Sequence, residues 1–222
     1  MIYHSAQSFS EGLAQVKLPL DFPQIFRPVH YINKSGHTVF SFYSQKAQHF
    51  NQKLAAIEFR KYGWIWPFVT RYGYVNTDGE TVIVPQFNNA RPFSEGFAAV
   101  RIDDKFGYIN YSGEFAIEPQ FDFAMEFYEH RARIQINNYW GFIDTTGQLL
   151  VPNIYKNCTD YNEGIAAVQS DWGWGFLDLD GNFVIKPQFE YAQSFHHDRA
   201  MVVKDKKLMI IKRDGSIVWQ EE

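Results

Sequence analysis

Along most of the chain, apolar residues come in bursts of four to six, and polar or conformationally special residues break every burst. "FAAV" (Phe97–Val100), "FGYIN" (Phe106–Asn110) and "EFAIEP" (Glu114–Pro119) follow one another with Gly, Asn or Asp between them. Such runs, rich in β-branched and aromatic side chains and closed by turn formers, predict short strands. No stretch keeps a 3.6-residue apolar period long enough for a helix. The same three bursts recur as "IAAV", "WGFLD" and "NFVIKP", and an alternation of this kind argues for hairpins with one face buried.

The recurrence is regular. A glycine closing each second burst falls at Gly36, Gly79, Gly113, Gly147, Gly181 and Gly215, so the last five are 34 residues apart. A small residue follows each of the first five glycines by 11 positions, at Ala47, Ala90, Ala124, Cys158 and Ala192, and Ala6 opens the series. An aromatic stands three residues beyond each small residue, at Phe9, Phe50, Phe93, Phe127, Tyr161 and Phe195. Six copies therefore fill one array over residues 1–222, with units at about 6–46, 47–89, 90–123, 124–157, 158–191 and 192–222. Thirty-four is also the tetratricopeptide period, but the strand-forming composition rejects that helical repeat.

Local chemistry sharpens the strand assignment. Asn33, Asn76, Asn110, Asp144 and Asp178 each stand three residues before the ruler glycine. An Asx side chain bonds the backbone two residues on, and the glycine supplies a left-handed close, so a hairpin with a bulge is expected there. Lys212 takes the Asx position in the last copy. Pro85, Pro119, Pro152 and Pro187 recur in the third burst. Proline offers no N–H to a ladder and should end that strand or mark an edge. The expected fold is all-β: six units of about three short antiparallel strands, as an open twisted solenoid of hairpins. A closed six-bladed propeller is the alternative, disfavoured because a blade usually takes four strands and about 40 residues.

Composition changes this picture in one respect. The chain is 18% aromatic, with 21 Phe, 13 Tyr and 6 Trp, which suits both packed sheets and sticky faces. The net charge of −4 argues against nucleic acid as partner. One cysteine, Cys158, excludes an intramolecular disulfide. The first twenty residues lack a signal-peptide pattern, and the apolar run "WIWPFV" is too short for a membrane span. A cytoplasmic protein without membrane contact is expected.

The motifs together resemble the bacterial WG-repeat family, also written WG containing repeat. Trp140-Gly141-Phe142-Ile143-Asp144 and Trp174-Gly175-Phe176-Leu177-Asp178 carry the resemblance, with Phe106-Gly107-Tyr108 and Tyr72-Gly73-Tyr74 as softer versions. Phe9-Ser10-Glu11-Gly12, Phe93-Ser94-Glu95-Gly96 and Tyr161-Asn162-Glu163-Gly164 match a second segment, and Pro85-Gln86-Phe87, Pro119-Gln120-Phe121 and Pro187-Gln188-Phe189 a third. Val29-His30-Tyr31 and Leu208-Met209-Ile210 replace the Trp-Gly-aromatic at the two ends. The resemblance implies an all-β repeat with a protein-interaction role and no catalytic residues.

Candidate chemistry is sparse. Glu11, Glu95, Glu129 and Glu163 recur with the repeat, which spaces them evenly, whereas an active site gathers groups in one pocket. His196-His197-Asp198 departs from the template, but adjacent histidines on a strand would face opposite ways and further ligands are missing, so a solvated turn in a terminal repeat is expected and not a metal site. Asp178–Gly181 resembles part of a calcium loop and has Phe189 at the twelfth position where a glutamate is required. Cys158 reads as a small buried hydrophobe. No phosphate loop, nucleophile elbow or cofactor motif is present, so no cofactor is expected.

Two insertions stand out. Lys17–Pro28 and Phe59–Arg71 both fall between the first and second strands, adding seven and nine residues to the template spacing. Insertions at one point of a repeat emerge on one face, often the binding face. Phe22, Phe26, Trp64, Trp66 and Phe68 are the candidate partner-binding residues. The insertions read equally as a hydrophobic cap on the array. The leading function is a non-catalytic protein-binding scaffold, with an inhibitor-like role as one variant. A carbohydrate-binding module using exposed repeated aromatics is the second reading, and burial of Trp140 and Trp174 would remove its main support. An enzyme is the third.

Overall fold

The computed structural model describes residues 3–17, 28–43, 46–61 and 69–222. Every element among them is a β-strand, and consecutive strands within a sheet pair antiparallel. The strands fall into two compact units, Met1–Pro119 and Gln120–Glu222.

In the first unit, one sheet runs β1 (Ser5–Ala6), β2 (Leu13–Lys17), β3 (Pro28–Asn33), β4 (Thr38–Tyr43). The next runs β5 (Leu54–Lys61), β6 (Val69–Asn76), β7 (Thr81–Phe87), and an isolated bridge from Ala47 to Ile57 stands where its opening strand would be. The third runs β8 (Asn89–Ala90), β9 (Ala98–Ile102), β10 (Lys105–Ile109), β11 (Phe115–Phe121), whose last residues pass into the second unit. The second unit repeats the plan three times. Its sheets are β12 (Phe123–Tyr128) to β15 (Leu149–Tyr155) through β13 (Arg131–Ile136) and β14 (Tyr139–Asp144); β16 (Asn157–Cys158) to β19 (Phe183–Phe189) through β17 (Ala166–Ser170) and β18 (Gly173–Leu177); and β20 (Tyr191–Ala192) to β23 (Ile217–Gln220) through β21 (Arg199–Lys204) and β22 (Lys207–Lys212).

The all-β repeat array expected from the sequence is thus the fold observed. Among the described residues, five of the six copies carry one strand more than the three anticipated: the small ruler residue lies in a strand of its own, only two residues long in four of them. The residue after it turns away at once, so apolar periodicity left no mark to read there.

The turns follow the sequence closely. Asn33 Oδ1 accepts from the backbone N–H of Ser35 and His37, both at 3.0 Å, and the same pair of bonds recurs at Asn76, Asn110, Asp144 and Asp178. Gly113, Gly147 and Gly181 close these turns at φ of 84°, 88° and 80°, as the turn demands. In the last copy, where Lys212 lacks the side-chain acceptor, Asp214 takes its place and bonds Ser216.

The Glu-Gly pair of the second motif forms another turn, between each copy's opening aromatic and its first long strand. Ser10 and Leu13 exchange both backbone bonds around Glu11 and Gly12, whose φ values are 50° and 84°. Two consecutive positive φ angles define the turn that best follows strand twist. His197 and Asp198 occupy the same place, with φ of 51° and 57°. The segment is thus the turn of a terminal repeat that the sequence suggested, with His196 at its entrance and His197 within it.

The glycine of the Trp-Gly pair has a different task. Trp140 pairs with Tyr155 and Phe142 with Val151, so Gly141 alone faces the three residues 152–154 of β15. The same bulge faces Gly73 and Gly175. A Cβ on Gly141 would lie 2.6 Å from the Val151 oxygen and 2.8 Å from the Asn153 nitrogen. Pro85 and Pro187 sit at the Asn153 position, inside the bulge of an edge strand. Proline thus marks the edge, as one branch of the expectation had it, but lies within the strand instead of ending it, because the bulge asks no N–H of it. Where His30 and Met209 replace the glycine, pairing with the third strand runs unbroken past them.

The core lies between successive sheets of a unit. Phe50, Phe93, Phe127, Tyr161 and Phe195 are all buried, while Phe9 of the first copy is exposed. Within the two units, four of these rings meet the aromatic after the Trp-Gly position of the preceding copy: Tyr31–Phe50, Tyr74–Phe93, Phe142–Tyr161 and Phe176–Phe195 pack edge-on at 5.2, 4.9, 4.8 and 4.9 Å. Ile57, Val100, Ile134 and Val168 fill the same layer.

Candidate interaction surface

Most recurring polar groups are consumed in joining one copy to the next. Glu11 Oε2 accepts from the backbone N–H of Lys53 at 2.6 Å, Gln52 Oε1 from Gly96 at 3.0 Å, and Glu129 Oε2 from Gly164 at 2.8 Å. Glu163 accepts from His197 at 2.6 Å and Asp198 at 2.9 Å, and Arg213 adds an ion pair at 3.3 Å. The bonds from Asp198 and His197, with Arg213, hold the Glu163 carboxyl below its ordinary value. Tyr31 and Tyr74 donate to the carbonyls of Gln48 and Arg91, both at 2.7 Å, and Tyr161 to that of Asp178 at 2.9 Å. Glu11, Glu129 and Glu163 are therefore spread along the array, each tied to a neighbouring backbone.

A second set of contacts departs from strict repetition. The third residue of the first long strand is Gln15, Ala56, Ala99, Arg133, Ala167 and Met201 in the six copies. Gln15 Nε2 donates to the Ala47 carbonyl at 2.9 Å. Arg133 makes the equivalent bond to the Cys158 carbonyl at 2.9 Å, pairs through Nε with Asp160 at 2.6 Å, and lies over the Trp140 ring at 5.4 Å. Burial pushes the Cys158 thiol up to about 12, so it stays protonated. Between the last two sheets, an open cleft of about 420 Å³ is lined by Asn157, Thr159, Trp174, Tyr191, Ser194 and His196, among others.

The insertions do fall where the repeat elsewhere makes a tight hairpin turn. Phe22, Phe26, Trp64, Trp66 and Phe68 lie outside the described residues. Of the second insertion, residues 59–61 and 69–71 continue the β5–β6 ladder to the pair Lys61–Val69, because the run is β-forming on both sides of its centre. Phe59 packs edge-on against Phe42 at 5.9 Å, which ties this end of the insertion to the first sheet. In the fifth copy the same hairpin carries Trp172, 84% exposed. Tyr139 is also exposed beside the turn of the preceding copy, and Lys156 and Asp171 form an ion pair at 2.7 Å. The recurrent tryptophans differ: Trp174 is 6% exposed and Trp140 is half-buried under Arg133. Of the two tryptophans on which the carbohydrate reading turned, Trp174 is buried and Trp140 is not fully so, and the reading loses part of its support. No group of three metal-ligating side chains occurs among the described residues.

Sequence reasoning passed over Arg133, Asp160 and Trp172. Their signal was present: each breaks the template at a position that other copies fill with a different residue type.

Linked antiparallel meanders of three or four strands, locked side chain to backbone, define a β-repeat protein. The WG containing repeat pattern matches residues 1–18, 72–106, 106–140, 140–171 and 174–207, and the chain belongs to that family. No curated protein matches it. Among solved structures it is similar to Hsv2 of Kluyvelomyces marxianus, at 13% identity over 91% of this chain and 73% of that one, with a TM-score of 0.50. It is also similar to the Pan2 WD40 domain of Neurospora crassa, at 12% identity over 91% and 72%, TM-score 0.44. Apo AztD from Citrobacter koseri aligns at 11% identity over 97% and 72%, TM-score 0.42. The likeness to Hsv2 concerns the fold alone.

Proposed function

We propose that this chain is a non-catalytic scaffold that binds a protein partner through the hairpins joining the first and second long strands. The observation that carries this reading is Trp172, a fully presented indole at the tip of one such hairpin. Large exposed aromatics are costly in water and dominate binding energy where they occur. The aromatic insertions of the first two copies leave the repeat at the same point, which concentrates apolar side chains on one repeat position. The commitment of Glu11, Glu129 and Glu163 to backbone donors supports a structural and not a catalytic use of them. The net charge of −4 favours a protein over a nucleic acid.

Affinity capture from the native cell tests this. Trp172→Ala and the double variant Trp64→Ala/Trp66→Ala should each reduce capture of the same partner while leaving the melting temperature within about 2 °C. A partner retained by both variants, or no enrichment over the unfolded chain, overturns the reading.

A further inference from the structure

Tyr111 breaks the repeat. Its position in the glycine turn is taken by Lys34, Thr77, Thr145, Leu179 and Arg213 in the other copies, none of them aromatic. The side chain is 45% exposed, yet both its ring and its hydroxyl are held. One face of the ring lies nearly parallel to buried Phe93, at 4.8 Å and 18°. The hydroxyl donates to Gln52 Oε1 at 2.8 Å, and the same oxygen accepts from the Gly96 N–H at 3.0 Å. An exposed ring so fixed has already lost its rotamer freedom, which lowers the cost of binding on it. Its accessible side lines an open cleft of about 510 Å³ within the first unit, where Leu54 and Val82 are apolar and Glu11, Gln52 and Lys53 are polar. In the second unit the corresponding place is filled from within. Arg131 stands where Leu54 does, and its guanidinium reaches the Leu179 carbonyl at 2.8 Å and lies over the Tyr161 ring. Leu54 has no such reach.

We propose that this cleft binds a pyranose sugar, whose apolar face stacks on Tyr111 while its hydroxyls bond the polar rim. The negative face of the ring suits the weakly positive C–H groups of a pyranose. The rim is balanced, with one carboxylate, Glu11, against one ammonium, Lys53. A charged ligand of either sign meets a like charge there, and a neutral one does not. Burial, with the Glu11 charge, raises the Tyr111 phenol above its ordinary value, which places the carboxylate close to the platform. Glu11 Oε2 is engaged by the Lys53 backbone, and Oε1 is left to accept from a ligand. Gln52 and Lys53 supply N–H donors beside it. Hydroxyls, which donate and accept, match such a mixed rim. A proline-rich peptide docks in a groove of several aromatic rings, whereas Tyr111 is the one ring among the described residues lining this cleft. A nucleotide brings phosphate toward Glu11, in a chain of net charge −4. The site is a single platform, and it does not rest on the recurrent tryptophans or on the partner surface at the hairpin tips.

The test follows the Tyr111 ring resonances of the full chain labelled on tyrosine, assigned with Tyr111→Phe. The probes are the methyl glycosides of glucose, galactose, mannose and N-acetylglucosamine, with adenosine and N-acetylproline N-methylamide for comparison. At least one glycoside is expected to give a saturable shift, in the millimolar range suited to a single stacking ring. The two comparison compounds should give none or a weaker one. Tyr111→Ala should abolish binding, read as loss of saturation transfer to the glycoside. Val82→Arg, at an exposed position of β7, should weaken binding by about tenfold or more and leave the melting temperature unchanged, so the test stands even where Tyr111→Ala unfolds. The proposal is overturned if no glycoside shifts Tyr111 in folded protein, or if adenosine or the proline probe shifts it at a lower concentration than every glycoside. It is overturned as well if the sugar that shifts Tyr111 binds the Val82→Arg chain as tightly as the native one.

Discussion

Glu163 Oε2 lies 2.9 Å from the backbone nitrogen of Asp198, in the turn that corresponds to its own one repeat later. Its carboxyl is held below the ordinary glutamate value of 4.5. A depressed folded value means that the stabilisation is complete above that ordinary value and is lost as pH falls through the folded one. Glu163→Gln should therefore melt below the native chain at pH 7, and the gap should narrow as the pH falls below the ordinary glutamate value. Melting curves across that range decide it. A gap that stays constant shows that the lock does not depend on charge.

Gly141 and Gly147 should fail for different reasons. At Gly141 an added methyl meets backbone atoms of β15 at 2.6 and 2.8 Å, so the bulge must break. The expected loss for Gly141→Ala is about 3 kcal/mol, the upper part of the usual range for overpacking. Gly147 has a φ of 88°, and alanine there should lose about 1 kcal/mol through the backbone alone. Urea unfolding of both variants, with losses in the reverse order, would show that close approach is not the purpose of the Trp-Gly glycine.

Phe93 is wholly buried, edge-on to Tyr74 at 4.9 Å and stacked on Tyr111 at 4.8 Å. Phe93→Ala should lose about 3–5 kcal/mol. A midpoint no lower than that of a surface variant would remove this aromatic row from the core.

The Arg133–Asp160 pair should behave as a unit. A double-mutant cycle with Arg133→Met and Asp160→Asn is expected to give a coupling of about 1–3 kcal/mol, because both side chains are held within one inter-sheet site. Additive losses would mean that the two groups act separately.

Cys158 is buried and its thiol is raised to about 12. Only the thiolate reacts, so at pH 8 the native chain should be modified by a disulfide reagent at least about 100-fold more slowly than the chain in denaturant. Equal rates would place Cys158 at the surface.

The sequence made the repeat, the hairpin turns and the buried aromatic row legible because each rests on a local rule. Asn110 and Gly113 specify their turn within four residues, and Phe93 declares itself by recurrence. The short opening strand around Ala90 was not legible, since two residues carry no period. Nor was the place of Pro85, because the bulge that admits it is set by Gly73 on another strand. The roles of Arg133 and Glu163 were hidden for a related cause: their partners, Asp160 and the Asp198 backbone, lie 27 and 35 residues away, and only the folded array brings them together. Trp172 looked like one more aromatic until its hairpin put it at a tip.

Successive copies are joined largely through the main chain. Glu11, Glu129 and Glu163 grip peptide N–H groups, and Tyr31, Tyr74 and Gln15 grip peptide oxygens. Every residue type except proline offers the first, and every residue the second. A copy inserted by gene duplication would find its attachment points already present in whichever neighbour it met. Such an array can lengthen or shorten over evolutionary time without matched changes on the two sides of a junction, and its members are free to diverge wherever they do not touch.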